Sequence, residues 1–380
     1  MQTIKTNRTL LVIAIALFWF AQYVYVPFQT PYLKSLGAAA SLTGIVVGAY
    51  GLTQTLLRIP LGIFADRYNR HKAFILTGLV SSSLASVLRL LIPTPGAFLA
   101  ANMLSGVASA MWISFTVYYA SLFHEGQTKK AMGYAMAANN GGILLAFVAG
   151  SLLNDILSIR EVFTASIASG VLGLLVALFI REGKPAPRTA PPVSPLKVFR
   201  SRPLIAWSLL GISLQAIVLS TSLSFTASYL KQLTSQEFLL GVSSAIFIAA
   251  SVGTSLVIGT IRRVSSRALI SILFGFLLLY CALMPLANAV WHVCLLQAAA
   301  GIGSGALMPL LMALALKGVD PTGKSTAMGF FQAVYGVGMT LGPMLMGALI
   351  ESSGFTAGYW AMALLALISI GAVQLIRPRA

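Results

Sequence analysis

Apolar runs long enough to cross a lipid bilayer recur along almost the whole of this chain, and that pattern leaves few folds open. A membrane-spanning helix needs about 20 mainly apolar residues, because the hydrocarbon core is roughly 30 Å thick. Twelve such stretches can be read: Thr9–Leu33, Leu42–Phe64, Ala73–Ile92, Ala97–Phe123, Ala131–Leu153, Val162–Ile180, Leu204–Leu230, Phe238–Thr260, Ala268–Leu286, Val290–Leu316, Thr326–Ile350 and Tyr359–Ile376. Only 9% of the 380 residues are charged and 58% are hydrophobic. Soluble domains carry about 25% charged residues, so a water-soluble globule is excluded. Blocks of roughly ten residues alternating apolar and polar, the mark of an outer-membrane barrel, are missing. The first run holds Trp19, Tyr23 and Tyr25 and is too long for the apolar core of a cleaved signal peptide. The expected fold is an all-α membrane protein of twelve transmembrane helices.

The sixth and seventh runs are separated by Arg181 to Pro203, which holds six prolines among six basic residues. Proline at that density cannot sustain a helix. The chain therefore divides into a six-helix half at 1–180, a linker at 181–203 and a second half at 204–380. With the N-terminus inside, the inner segments collect 20 of the 25 Lys and Arg residues, a strong positive-inside bias. Both termini are then cytoplasmic. The net charge of +17 reports topology and contact with anionic lipid headgroups rather than nucleic acid. The halves also repeat. Ala131-Met132-Gly133-Tyr134 opens the fifth run, and Ala327-Met328-Gly329-Phe330 opens the eleventh, 196 positions on. Gly62 and Gly259, each leading a basic segment, are 197 apart. Two matches at nearly one offset indicate internal duplication, hence two pseudo-symmetric halves.

Gly62 to Lys72, between the second and third runs, reads Gly-Ile-Phe-Ala-Asp-Arg-Tyr-Asn-Arg-His-Lys and forms a short basic joint holding one carboxylate, Asp66. This stretch resembles the signature loop of the major facilitator superfamily, a G-x-L-A-D-R-x-G-R-[KR]-like motif between helices 2 and 3. Gly62, Ala65, Asp66, Arg67 and Arg70 match it, while Asn69 replaces the second glycine. The resemblance extends over the whole chain through the duplication, and it implies a secondary transporter of the exporter-like twelve-helix type. It also implies a cytoplasmic latch of Gly62, Asp66, Arg67 and Arg70 beside the start of helix 11, Ser325-Thr326-Ala327. Unpaired N–H groups there carry a positive partial charge that suits a carboxylate. The alternative is a topology anchor with an incidental acid.

The eleventh run carries Gly336, Gly338, Gly342, Pro343 and Gly347. Gly338, Gly342, Pro343 and Gly347 are expected to bend the helix and to pack it closely. This is similar to the glycine-proline motif that exporters of the family carry in helix 5, displaced here to the pseudo-equivalent helix.

All eight acids fall at or beyond the ends of runs, so the mid-membrane carboxylate usual in proton-coupled transporters is not seen. Coupling to a proton or ion gradient stays open, with Asp155, Glu351 and His292 as candidates. Arg58 lies well inside the second run. It is expected either to snorkel or to face the cavity with Gln54 one turn earlier and pair with an anionic substrate group. Arg89, three residues from the end of its run, is expected to snorkel.

The resemblance places the substrate cavity among helices 1, 4, 7 and 10. Their polar residues single out Gln22, Tyr25, Asn102, Ser109, Trp112, Gln215, Thr221 and Gln297, joined by Gln54 and Arg58 from helix 2. Hydroxyls, amides and aromatic rings suit a small polar or amphipathic organic molecule. Cys281 and Cys294 have neither zinc-site nor disulfide-framework spacing and read as packing groups. No metal site, no cofactor and no hydrolase or phosphate-binding motif is found, so the chain is not read as an enzyme.

The expected function is alternating-access export of a drug-like amphiphile, a sugar or a metallophore-type metabolite across a bacterial inner membrane, by a monomer embedded in lipid. The alternatives are import of a polar or anionic nutrient, and a non-transporting sensor or lipid-handling protein on the same scaffold.

Overall fold

A computed structural model describes residues 2–68, 71–124, 127–182, 201–258, 264–317, 319 and 324–376, without the side chains of 2–3, 62–68, 128–129, 258 and 324–325. Among these the chain is almost entirely helical, with no strand. Eleven stretches are long and apolar enough to span a membrane: Ile4–Ser35, Ala40–Leu61, His71–Leu91, Pro95–Ser121, Lys130–Ile156, Ile159–Leu178, Arg202–Leu233, Phe238–Val257, Ser266–Leu286, Val290–Ala315 and Thr326–Leu375. The last has 50 residues. At 1.5 Å per residue that is more than twice the length a bilayer core can take. Its helix breaks at Gly354, where φ is +81° and ψ is 175°. Only glycine adopts that conformation at little cost. The stretch therefore crosses twice, giving twelve spans, numbered 1 to 12 below. Large apolar side chains point outward along them, among them Leu56, Leu145, Leu256, Trp291 and Leu375. In lipid such a surface is solvated.

Three boundaries differ from the sequence reading. The helix of span 2 runs on from Ala40 to Tyr68, so Asp66 and Arg67 sit on its last turn rather than in a loop. Span 7 starts at Arg202 with Pro203 in its first turn, where a missing N–H costs nothing. Arg181 and Glu182 pack against the bundle. The Glu182 carboxylate accepts the amides of His71 at 2.5 Å and Lys72 at 3.2 Å, capping span 3. Asn7 donates to the Arg181 carbonyl at 2.7 Å.

The two halves meet chiefly along spans 2 and 11, and glycine makes the approach close. A Cβ on Gly44, Gly48 or Gly51 would come inside 3.0 Å of the span 11 backbone at Pro343, Thr340 and Met339. Gly347 returns the contact against Ala40. Gly338 and Gly342 face the other way, onto Ile212 and Ala216 of span 7. Span 11 is thus held on two sides by backbone-to-backbone packing of the kind small residues permit.

At the end of the bundle away from the termini, polar contacts join the halves. Glu351 accepts the Ser41 amide at 2.9 Å, and Asp155 accepts the Phe238 amide at 3.2 Å. Asn154 donates to Glu237 at 3.1 Å, and Glu237 also pairs with Lys231. In this state the bundle is closed at that end.

Candidate functional site

Three spans are broken at mid-depth. Span 1 consists of Gln2–Tyr23 and Val26–Ser35, with Val24 and Tyr25 between and Pro27 in the first turn of the second piece. Span 4 passes from Pro95–Ala110 to Trp112–Ser121 at Met111. Span 7 widens into a π-helical turn over Thr221–Phe225. A wider turn releases carbonyls from the ordinary ladder and is often found at functional sites. Here they are taken by side chains: Gln297 donates to the Ser222 carbonyl at 3.1 Å, and Thr30 to the Ser224 carbonyl at 2.9 Å. Non-helical backbone inside a membrane is tolerated where protein or a cavity surrounds it.

The breaks of spans 1 and 7 border a central cleft with a cavity volume of about 40 Å³. Its walls are Gln22, Tyr23, Tyr25, Val26 and Gln29 from span 1, Val47 and Tyr50 from span 2, Asn102 from span 4, and Leu219, Leu223 and Ser224 from span 7. That mixed lining of aromatic, aliphatic and amide groups is of the kind that holds small organic ligands. Hydrogen bonds stiffen one wall. Gln22 donates to the Ser105 carbonyl and to Ser109 Oγ, both at 2.9 Å. Tyr50 donates to Ser109 at 2.9 Å, and Tyr25 lies 3.3 Å from Ser105 Oγ. Gln29 Oε1 and Ser224 Oγ are buried without partners, leaving polar capacity in the cleft.

Of the residues expected from sequence, Gln22, Tyr25 and Asn102 line the cleft. Ser109 stands behind them as the junction of Gln22 and Tyr50. Trp112 packs edge-on against Trp19 at 5.3 Å. Thr221 turns back to the Ile217 carbonyl at 2.6 Å, and Gln297 supports the π turn, so both shape the site from outside. Gln215 is half-buried on span 7. Arg58 is buried and bonded to Gln54, as one reading expected, but its other partners are Tyr335 and the Gln332 carbonyl on span 11. It ties the two halves together.

The expectation for Arg89 is overturned. Instead of snorkelling it is 1% exposed, the largest of the fully buried side chains. Its Nη2 donates to Asn102 Oδ1 at 2.6 Å and Ser105 Oγ at 2.9 Å, and its Cζ lies 3.9 Å from the Tyr25 ring centroid. Asn102 in turn donates to the Val46 carbonyl at 2.7 Å, so both ends of its amide are engaged. The polar wall of spans 1 and 4 draws the guanidinium inward where the sequence position alone suggested the interface. The proposed latch falls mostly outside the described residues: Gly62, Asp66 and Arg67 are placed only as backbone, and Arg70 is not described.

The model of the Major Facilitator Superfamily matches residues 11–296 and 262–380. The chain belongs to that superfamily. It is similar to the multi-drug resistance efflux pump PmrA of Streptococcus pneumoniae serotype 4, with 24% identity over 367 residues and 91% of each chain covered. Tetracycline resistance protein, class C, of Escherichia coli is 24% identical over 340 residues, covering 83% of this chain and 82% of that one. Among solved structures, the nucleoside transporter NupG superposes with TM-score 0.78 at 18% identity, over 96% of this chain and 99% of that one. A bacterial homologue of the lysosomal transporter Spinster, inward-facing and unoccupied, gives 0.76 at 15%, over 98% and 96%. At those identities the structures speak for the fold alone.

As a facilitator-superfamily protein the chain is an integral membrane transporter of small molecules. One polar part of its cleft was not legible as such: Tyr50 belongs to span 2, which the sequence reading used for Gln54 and Arg58. Tyr23, Gln29 and Ser224, polar residues of spans 1 and 7 legible in the sequence, also line it.

Proposed function

We propose that this chain exports a small organic molecule across a bacterial inner membrane by alternating access, its halves at 1–180 and 204–380 rocking about the central cleft. The observation that carries the mechanism is the cleft itself: its walls come from both halves, and one end is closed by contacts that cross between them. Any opening at that end must separate Ser41 from Glu351 and Phe238 from Asp155. Export is supported by PmrA, whose name describes an efflux pump, and by the class C tetracycline resistance protein, whose name describes resistance to a drug. The basic segments put the terminus end in the cytoplasm. Asp66, with Gly62, Arg67 and Arg70, latches that end in the opposite state. Gly338, Gly342, Pro343 and Gly347 let span 11 move against spans 2 and 7.

Untargeted mass spectrometry of cells and spent medium, with and without the protein, tests the direction. A compound that accumulates inside and vanishes from the medium on loss of the protein identifies an exported cargo. A compound left unconsumed in the medium reverses the direction to import. Asp66→Asn should abolish the difference while leaving insertion and folding intact. Retention of ligand binding with no flux in the unmodified chain would point to a sensor instead.

A further inference from the structure

Arg89 and Arg58 are both buried guanidiniums, and among the described residues no carboxylate reaches either. The partners of Arg89 are neutral: Asn102, Ser105 and the ring face of Tyr25. Its Nε and Nη1 have no hydrogen-bond partner. Arg58 leans on Gln54, Tyr335 and a carbonyl, and its Nε is likewise unpartnered. A buried charge is costly without an opposite charge nearby, and buried polar atoms are almost always satisfied. The described acids, Asp155, Glu161, Glu182, Glu237 and Glu351, stand at the ends of spans. Among the described residues, two cations and no counter-charge thus stand around the centre.

These cations flank the cleft. Arg89 stands directly behind Tyr25 and Asn102, two of its lining residues. Arg58 is linked through Gln54 to Tyr50, whose carbonyl accepts from the Gln54 amide at 3.5 Å. A cationic ligand would enter a positive field, and one face of the Tyr25 ring is already covered by Arg89. An anion would meet that field in a water-poor setting, where it is weakly screened. The rest of the lining includes Val26, Val47, Leu219 and Leu223, which suit an apolar body.

We infer that the central cleft takes an organic anion, its carboxylate-type group against the Tyr25–Asn102 wall in front of Arg89 and its apolar part against spans 1, 2 and 7. This rests on the transporter reading above and names the cargo class. Arg89 is a positioning residue: it does not line the cleft, and acts by its field and by holding Tyr25 and Asn102.

The test uses the full chain in lipid nanodiscs and two matched probe pairs, benzoate with benzamide and 4-phenylbutyrate with 4-phenylbutyramide, titrated by tryptophan fluorescence. Trp19 lies 5.5 Å from the ring of the cleft residue Tyr23 and reports occupancy. Each acid should bind at least about tenfold more tightly than its amide, because an uncompensated cation discriminates by charge between ligands of one shape. Arg89→Gln should bring the ratio near one, and Arg89→Lys, which keeps the charge, should retain most of it. A merely structural role for Arg89 would weaken acid and amide alike and leave the ratio standing, which overturns the inference. So would equal binding of acids and amides to the unmodified chain, or no binding of either acid. If Arg89→Gln fails to fold, the unmodified ratio together with Arg89→Lys decides. Spin labels on Leu157→Cys and Gln236→Cys, in a Cys294→Ser background, report separation of the halves in the same discs. Two distance populations keep alternating access standing even where no probe binds, and a single fixed distance counts against the transporter reading itself.

Discussion

The carboxylate of Glu351 caps the backbone of Ser41, accepting its amide at 2.9 Å across the boundary between the halves. Asp155 does the same for Phe238 at 3.2 Å. The two acids are 196 positions apart and the two amides 197, the offset at which the halves repeat. Each acid ends the fifth span of its half, span 5 or span 11, and meets the first turn of the second span of the other half, where N–H groups lack helical partners. The closed end is therefore a symmetric pair of locks. Glu351→Gln should shift the halves toward separation at that end, and Asp155→Asn with Glu351→Gln should shift them further than either alone. Distances between labels at Leu157→Cys and Gln236→Cys measure the shift; an unchanged distribution in the double variant would remove the locks from the account.

Close packing of span 11 predicts a sharp contrast among glycines. Gly44→Ala and Gly338→Ala each place a methyl group inside 3.0 Å of backbone on the neighbouring span. Overpacking of this kind costs about 1–3 kcal/mol, so both variants should lose thermal stability in detergent. Gly275→Ala meets nothing within 4 Å and should leave the melting temperature unchanged or slightly higher. Equal stability of all three would mean that spans 2, 7 and 11 pack less tightly than the geometry requires.

How much of this could be read from residues alone divides along a physical line. Crossings were legible because desolvating a run of apolar residues is a local property, and each run declares itself. Gln22, Tyr25 and Asn102 were legible because a polar group within such a run must find a partner or a cavity. Arg89 misled for the opposite reason: distance along the helix suggested an interface, while its place is decided by Asn102 and Ser105 on another span. The locks were hidden in acids correctly placed at the rim, since nothing in the sequence says whose helix a rim acid will cap. The latch at Asp66 remains an expectation from resemblance.

The π turn of span 7 makes Gln297 a support for the site. Its amide holds the Ser222 carbonyl, which the widened turn has freed. Gln297→Leu removes that donor and leaves a buried carbonyl unpaired, at a cost of about 1–3 kcal/mol. The expected outcome is a modest drop in thermal stability together with weaker occupancy of the cleft, read by tryptophan fluorescence with 4-phenylbutyrate. Gln297→Met, of similar length and unable to donate, should resemble Gln297→Leu. Normal binding by both variants would show that the turn holds itself.

Arg58 and Tyr335 join the halves at a depth where water is scarce, the guanidinium donating to the phenol oxygen and its Cζ lying 5.0 Å from the ring centroid. Tyr335→Phe keeps the ring and removes the acceptor, so the guanidinium is left with Gln54 and one long bond to the Gln332 carbonyl at 3.5 Å. Unmaking a charged hydrogen bond in such a place costs about 1.5–3 kcal/mol. Arg58→Gln removes the charge as well as the bond, which relieves part of its own burial cost and leaves Gln54 and Tyr335 without their donor. Because the two side chains act on each other, their effects should not add. A double-mutant cycle over Arg58→Gln and Tyr335→Phe should give a coupling of roughly 0.5–3 kcal/mol in thermal or denaturant unfolding. Additive effects within about 0.3 kcal/mol would mean the pair is not in contact in the populated state, and that spans 2 and 11 part at this depth before the far end opens.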